Sequence, residues 1–153
     1  MAEHRNNSSE QVADLLAHLD IPHIPSAVVG CLLASEPPET TFEELQERLH
    51  ISKAAVSAAM RYLEALDVVR YRTPVGSRKR LIRLEPLKLA NYLKRRMVFF
   101  KNFTQSLQRI AQEHPDSAYR REITELADLF QKLDIVVQET IGEWEGERER
   151  ERI

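Results

Sequence analysis

The chain has 153 residues, of which 42% are hydrophobic and 30% are charged, and its single cysteine excludes an intrachain disulfide. These values predict a soluble domain with an extension, or a small domain that forms a dimer. The N-terminal residues have no apolar run typical of a secretory signal, and no stretch approaches the roughly 18 apolar residues of a membrane span. We therefore expect a cytoplasmic protein with no membrane partner.

The net charge of -2 conceals a strong segregation of charge along the chain. Residues 1–51 hold 2 basic and 9 acidic residues, residues 52–96 hold 12 basic and 3 acidic residues, and residues 97–153 hold 8 basic and 12 acidic residues. A basic block within an acidic chain indicates a local surface for an anionic partner such as nucleic acid. A solvated charged face is the alternative, and charge alone does not decide between them.

The first two predicted elements are helices that form a scaffold. Ser8 or Ser9 is a suitable cap for the first helix, which we assign to residues 1–20 and expect to form part of a dimer interface. A second helix begins near Pro25, and its apolar run AVVGCLLA predicts a central position in the core. Cys31 lies in this run and is either a redox-sensing thiol or a small buried apolar residue. No cation lies nearby in the sequence to lower the pKa of the thiol, which favours the second interpretation.

Two helices joined by a tight turn are predicted next. Thr41 and Glu44 have the spacing of a capping box, in which two residues exchange hydrogen bonds at the start of a helix. A turn at residues 50–51 follows this helix. Ser52 is then placed to cap a further helix, which we assign to residues 53–66.

One face of the helix over residues 53–66 is apolar, and the opposite face is small or cationic. The second face suits the major groove of DNA, because small side chains allow close approach while hydroxyl groups and cations meet base edges and phosphates. The predicted DNA-binding residues of this helix are Ser52, Lys53, Ala54, Ser57, Ala58 and Arg61. Packing against another helix would also explain small residues, so this face needs a second signal.

That signal is a predicted β-hairpin with a basic tip. Alternating residues predict strands over residues 68–72 and 80–84, and the segment between them contains Pro74, Gly76 and Ser77, which are typical of turns. A cationic hairpin tip can reach the minor groove or the neighbouring phosphates, where the negative potential is deepest. The predicted DNA-binding residues of the hairpin are Arg72, Arg78, Lys79 and Arg80. A solvated hairpin with surplus charge is the alternative.

The sequence EELQERLHISKAAVSAAMRYLEALDVVRYR, followed by GSRKRLIRL, resembles the winged helix-turn-helix transcription regulators of the MarR family, especially the branch related to GbsR. The resemblance extends over residues 25–84. It implies a homodimer that binds a pseudo-palindromic DNA operator through the recognition helix and the wing. Ser77 stands where many family members have an aspartate that orients the wing arginine, so Arg78, Lys79 and Arg80 all remain candidates for the minor groove.

Residues 86–153 predict a helical dimerisation region. A helix from Pro86 to about His114 has an apolar face wide enough for two partners. A last helix, capped by Ser117, carries apolar residues at the alternating spacing of a coiled-coil seam. The predicted dimerisation residues are Tyr119, Ile123, Leu126, Phe130, Leu133, Val137 and Trp144. A hairpin between the last two helices of one chain is the alternative, although a two-fold operator favours an intersubunit bundle.

The predicted fold is mainly α with a small two-stranded β-wing: a winged helix-turn-helix domain over residues 21–85 followed by the helical dimerisation arm. The sequence contains no nucleophile elbow, nucleotide-binding loop or clustered metal ligands, so we expect no enzyme, no cofactor and no metal site.

The predicted function is a dimeric, sequence-specific DNA-binding transcription regulator, specifically a repressor released by a small-molecule effector. The alternatives are a winged-helix module that binds an acidic protein and an architectural DNA binder without an effector. The aromatic residues that either line an effector cavity or pack in the core are Tyr92, Phe99, Phe100 and Phe103.

Overall fold

The computed structural model describes residues 2–152, with side chains from Asn7 onwards. The helices are α1 (Ala2–Ala17), α2 (His23–Leu33), α3 (Phe42–Leu49), α4 (Lys53–Ala65), α5 (Leu89–Glu113) and α6 (Ser117–Glu151), and the strands are β1 (Val69–Arg72) and β2 (Leu81–Leu84). A 3-10 turn over Pro86–Lys88 precedes α5. The predicted mainly α fold with a two-stranded hairpin is confirmed. Contacts divide the chain into a first unit that ends at Leu89 and a second unit that begins at Ala90.

The core of the first unit lies between α2, α3, α4 and the hairpin. Its fully buried aliphatic side chains include Val28, Leu45, Val56, Leu63 and Ile82, so each of these elements contributes to it. Burying one such side chain stabilises the fold by roughly 1.5–3 kcal/mol. The apolar run of α2 therefore takes the central position that its composition predicts.

Local hydrogen bonds define the ends of α3 and the start of α4. The predicted capping box is confirmed, because Thr41 Oγ1 accepts from the Glu44 backbone N–H at 3.2 Å and Glu44 Oε2 accepts from the Thr41 N–H at 2.9 Å. His50 ends α3 in the left-handed conformation, with a φ of 52°. Ser52 then caps α4, because its Oγ accepts from the Ala55 N–H at 3.1 Å. These contacts set where α3 begins and ends and where α4 begins.

The Glu44 carboxylate makes the stability of this cap depend on pH. A hydrogen bond from the Thr40 hydroxyl, with a second from the Thr41 N–H, lowers the pKa of Glu44 below its usual value of 4.5. A carboxyl group with a depressed pKa stabilises the fold above its unfolded pKa, and this stabilisation is lost as the pH falls through the folded pKa. Glu44→Ala removes one half of the capping box, and the loss of a helix cap typically lowers the free energy of unfolding by about 1 kcal/mol at neutral pH. The loss should be smaller below about pH 4, where the carboxyl group becomes protonated.

Urea denaturation at both pH values measures this difference. Glu47→Ala, an exposed change on the same helix, is the matched control. An equal loss of stability for Glu44→Ala at the two pH values would contradict the role of the ionised carboxylate.

The hairpin is joined to the segment before α3. Strands β1 and β2 pair antiparallel, with Val69 opposite Leu84 and Arg72 opposite Leu81. Thr40 adds a short bridge to Ile82, in which the backbone N–H of each residue donates to the carbonyl of the other at 2.9 and 2.7 Å. The sequence did not predict this bridge, because a single extended residue leaves no alternating pattern. It fixes the hairpin beside the start of α3.

Helix α1 packs closely against α2. The predicted cap at Ser8 or Ser9 is wrong, because α1 begins at Ala2 and both serines lie inside it. A Cβ atom on Gly30 of α2 would lie only 2.4 Å from the Ser9 carbonyl oxygen. Ser9 therefore belongs to a helix–helix contact that requires a residue without a side chain on the facing helix. The dimerisation role of residues 1–20 remains a prediction.

Gly30→Ala should destabilise the protein, although alanine is the better helix former by about 1 kcal/mol. Contact with the Ser9 backbone forces the two helices apart, and overpacking of this kind costs typically 1–3 kcal/mol. Gly142→Ala is the matched control, because a Cβ atom at this α6 position meets open space. Thermal unfolding should show a lower Tm for Gly30→Ala and an unchanged or higher Tm for Gly142→Ala. Equal Tm values for the two variants would contradict the close contact.

The second unit is an antiparallel pair of helices. Asp116 caps α6, since its Oδ1 accepts from the N–H groups of Ala118 and Tyr119 at 2.8 and 2.9 Å. The predicted cap at Ser117 is therefore wrong by one residue, because the longer acceptor at Asp116 reaches both groups. No helix in the described part of the chain combines the length and the apolar character needed to cross a membrane.

Candidate nucleic-acid interface

Helix α4 has one buried face and one exposed face. Val56, Ala59, Met60 and Leu63 are buried in the core. The predicted contact residues lie on the other side: Ser57 is half-buried, and the exposed residues are Ser52, Lys53, Ala54, Ala58 and Arg61. The small side chains leave the backbone of α4 accessible, while the two cations extend beyond it.

The N-terminal end of α4 has the properties of a phosphate contact. The first N–H groups of a helix lack intrahelical acceptors and carry the positive end of the helix dipole. The Ser52 Oγ accepts a hydrogen bond from the Ala55 N–H, and the exposed Lys53 ammonium group lies at the same end of the helix. An anionic group placed here would meet backbone donors and a cation together.

Hydrogen bonds in the turn between β1 and β2 fix the shape of the wing tip. The Ser77 N–H donates to the Pro74 carbonyl at 3.0 Å, and the Lys79 N–H donates to Ser77 Oγ at 3.0 Å. Gly76 has a φ of +80°, which residues with a side chain rarely adopt. Ser77 therefore shapes the turn that carries the exposed cation Arg78 and its neighbour Lys79.

Arg80 is held at the base of the wing. Its guanidinium carbon lies 4.7 Å from the centre of the Tyr71 ring, a distance typical of a cation–π contact. The Tyr71 ring stacks in turn on Phe42, with 6.4 Å between ring centres. Among the three candidate wing cations, Arg80 is thus fixed against the hairpin, while Arg78 and Lys79 lie nearer its tip.

The cations of the basic block fall into two groups. Arg70 pairs with Glu85 at 2.8 Å, Arg72 with Glu39 at 2.6 Å, and Lys88 with Asp67 at 2.6 Å. Within the described residues, the cations that form no ion pair include Lys53, Arg61, Arg78 and Lys79. Four cations of the basic block that form no ion pair thus lie on α4 or at the wing tip.

Arg72 differs from the other predicted contact residues. Its Nε and Nη2 atoms donate to the two carboxylate oxygens of Glu39 at 3.0 and 2.6 Å. The hydrogen bond from Arg72 lowers the pKa of Glu39, and the same bond raises the pKa of Arg72. The sequence did not predict that Glu39 binds Arg72, because 33 positions separate the two residues and no sequence pattern links them.

Cys31 is buried in the core of the first unit. Burial raises the pKa of its thiol, and the nearby Arg48 guanidinium opposes this effect only in part. A raised pKa keeps the group a thiol, which is the less reactive form. The interpretation as a small buried apolar residue therefore agrees with the structure, although Arg48 is a neighbour that sequence spacing did not reveal.

The predicted dimerisation residues divide between two sides of α6. Ile123, Phe130, Val137 and Trp144 are partly buried, and Phe130 contacts Phe103 of α5, with 4.8 Å between ring centres. Tyr119, Leu126 and Leu133 are exposed. One stripe of the seam thus faces α5 of the same chain, and the other has no cover within the described part of the chain.

The exposed stripe belongs to a larger surface on the helix pair, which we call the apolar face. Its residues are Phe99 and Ile110 of α5 and Leu126, Leu129, Leu133 and Val136 of α6, all between 40% and 58% exposed. Helical spacing places these residues on one side of the antiparallel pair. An exposed group of large apolar side chains is typical of an interaction surface.

The aromatic residues of α5 pack mainly on one another and on α6. Phe99 stacks on Phe103 at 5.4 Å, and Phe100 lies 5.8 Å from Phe130, both between ring centres. Tyr92 is buried. Core packing thus accounts for these rings, apart from the exposed side of Phe99.

Comparisons with known proteins identify the fold but not a family. No protein-family model matches the chain, and neither does any curated protein. One solved structure, described as the crystal structure of a transcriptional regulator, matches with a TM-score of 0.60 and 20% sequence identity, over 94% of this chain and 99% of the other. At this identity the match shows a shared fold that extends over both units.

Proposed function

We propose that the protein is a homodimeric, sequence-specific DNA-binding transcription regulator of the MarR type that acts as a repressor. The observation that carries the proposal is the distribution of cations without ion-pair partners in the described residues. Four of these cations, Lys53, Arg61, Arg78 and Lys79, lie on the exposed face of α4 and at the wing tip. Nearby, Arg70, Arg72 and Lys88 are bound to carboxylates. The fold shared with a transcriptional regulator agrees with this proposal.

In this mechanism α4 enters the major groove. An arginine on its exposed face, Arg61, can donate two hydrogen bonds to the O6 and N7 atoms of a guanine, while Ser57 and Ala58 allow close approach to the bases. Lys53 and the N–H groups at the start of α4 bind a phosphate, and Arg78 reaches the minor groove or its phosphates. Base contacts give sequence preference, and phosphate contacts give affinity that falls with salt.

A second copy of the chain covers the apolar face in this proposal. Two chains related by a two-fold axis bury identical surfaces against each other, which suits one continuous apolar face on each chain. The same axis presents two α4 helices to one side of the duplex, about 10 bp apart. An effector would release the DNA only if it bound more tightly to a dimer conformation in which the spacing of the two α4 helices does not fit the DNA.

Selection of bound sequences from random DNA tests this function. We expect an enriched pseudo-palindrome whose half-sites are centred about one helical turn apart. A protein-interaction module would enrich no sequence, and an architectural binder would enrich flexible or A·T-rich DNA without two-fold symmetry. Either result would contradict the proposal.

A further inference from the structure

Val75 is the most exposed large apolar residue in the described part of the first unit. Its side chain is fully exposed, and the next in this part of the chain is Leu15, at 67%. Val75 belongs to the turn at the wing tip, where a Cβ atom on the adjacent Gly76 would meet no atom within 4 Å apart from its chain neighbours. The space around the tip is therefore open, and the fold itself does not bury this valine.

The turn that carries Val75 is held by its own hydrogen bond. Val75 and Gly76 are the central residues of a turn over residues 74–77, which the 3.0 Å hydrogen bond from the Ser77 N–H to the Pro74 carbonyl closes. The φ of +80° at Gly76 is the value that a type II turn requires at its third position. The ring of Pro74 fixes a further dihedral angle. A partner of Val75 therefore meets a loop that already has its shape, which lowers the entropy cost of binding.

The neighbours of Val75 indicate a partner surface with anionic edges and apolar walls. A single exposed valine is common on protein surfaces, so its position has to carry the argument. Arg78 and Lys79 follow Val75 within four positions, and neither forms an ion pair in the described residues. The minor groove of DNA matches this combination, because charged phosphates line both of its edges and deoxyribose C–H groups form its walls.

The floor of the minor groove distinguishes base pairs in a way that an apolar side chain can detect. Every base pair presents acceptors there, but only a G·C pair adds the N2 amino group of guanine. This group projects into the groove and limits close approach. Valine has no acceptor for it, so contact would remove water from the amino group without replacing the lost hydrogen bond.

We propose that Val75 enters the minor groove beside Arg78 and disfavours base pairs that carry the guanine amino group. Its two methyl groups pack against the deoxyribose walls, while Arg78 binds in the negative potential of the groove. Val75 is thus a specificity-determining residue of the wing. This inference rests on the proposed DNA-binding function, and it adds a preference for A·T pairs to the base contacts of α4.

Fluorescence anisotropy of the full-length protein with three versions of the selected DNA tests this role. The base pairs that flank each half-site are A·T, G·C or inosine·C, and inosine is the analogue of guanosine that lacks the amino group. The parent should bind the A·T and inosine versions with similar affinity and the G·C version about tenfold more weakly, as for one unfavourable base pair. Val75→Ala should reduce this penalty to about threefold or less. Val75→Asn supplies an amide acceptor and should remove the penalty.

Thr73→Ala is the matched control, because it shortens another exposed β-branched side chain of the same loop and should keep the parent's penalty. Arg78 also favours a narrow groove, so a penalty that Val75→Ala leaves unchanged would overturn the role of Val75. Equal binding of the inosine and G·C versions by the parent would overturn it as well, although the DNA-binding function would stand. If no sequence is enriched from random DNA, the proposed function and this inference fail together.

Discussion

Replacing Arg61 or Arg78 by alanine should weaken binding to the selected DNA by about 10- to 100-fold. Both side chains are exposed, and neither forms an ion pair within the described residues. Neither therefore has to break an ion pair with a carboxylate before it binds DNA. Loss of Arg61 should also relax the preference for one base pair in each half-site. Loss of a phosphate contact should instead weaken all sequences alike.

Fluorescence anisotropy at several salt concentrations separates these two effects. Each lost phosphate contact should reduce the slope of log K against log salt by about 0.9 in each chain. Arg121→Ala is the matched control, because it removes the same charge from an exposed position of α6. If Arg61→Ala and Arg78→Ala bind as tightly as Arg121→Ala, the assignment of α4 and the wing is wrong.

A glutamate on the apolar face should convert the proposed dimer into a monomer. Leu126→Glu or Leu133→Glu would place a charge among side chains that are buried only when a second copy covers them. An unpaired buried carboxylate costs several kcal/mol, so the dimer dissociation constant should rise at least about 100-fold. Sedimentation equilibrium should then give the 17.8 kDa of one chain instead of twice that mass.

Ile135→Glu provides a matched control for the dimer interface. Ile135 is 48% exposed, compared with 40% for Leu133, but it lies two residues further along α6 and therefore about 200° around the helix. This variant should remain dimeric. A dimeric Leu133→Glu, or a parent protein that is monomeric at micromolar concentration, would contradict the assignment of the apolar face. The monomeric variant should also lose most of its DNA affinity, because it presents one α4 helix instead of two.

The features predicted correctly from the sequence depend on short-range patterns. The capping box of Thr41 and Glu44 and the cap at Ser52 each join residues three positions apart, so the chain itself shows them. The apolar run of α2 and the alternating strands likewise predict burial without knowledge of the partner. These patterns were enough to predict the order of elements in the first unit.

The features that were missed join distant parts of the chain. Sequence spacing does not show that Glu39 binds Arg72, or that Gly30 faces the Ser9 backbone. The regular spacing along α6 predicted an apolar seam but not which residues face α5. Periodicity shows which residues share a side of a helix, while the identity of the covering surface depends on tertiary packing. A measurement of the oligomeric state therefore has to show what covers residues such as Leu126.

Methylation of the selected DNA in the presence of the protein tests whether α4 binds the major groove and the wing the minor groove. Dimethyl sulfate attacks guanine N7 in the major groove and adenine N3 in the minor groove, so one reaction reports on α4 and on the wing separately. We expect protection of guanine N7 in two half-sites centred about 10 bp apart. Arg61→Ala should restore methylation there, and Arg78→Ala should restore it at flanking adenines. The same methylation pattern with and without the parent protein, at concentrations that saturate binding, would contradict the assignment of α4 and the wing to the two grooves.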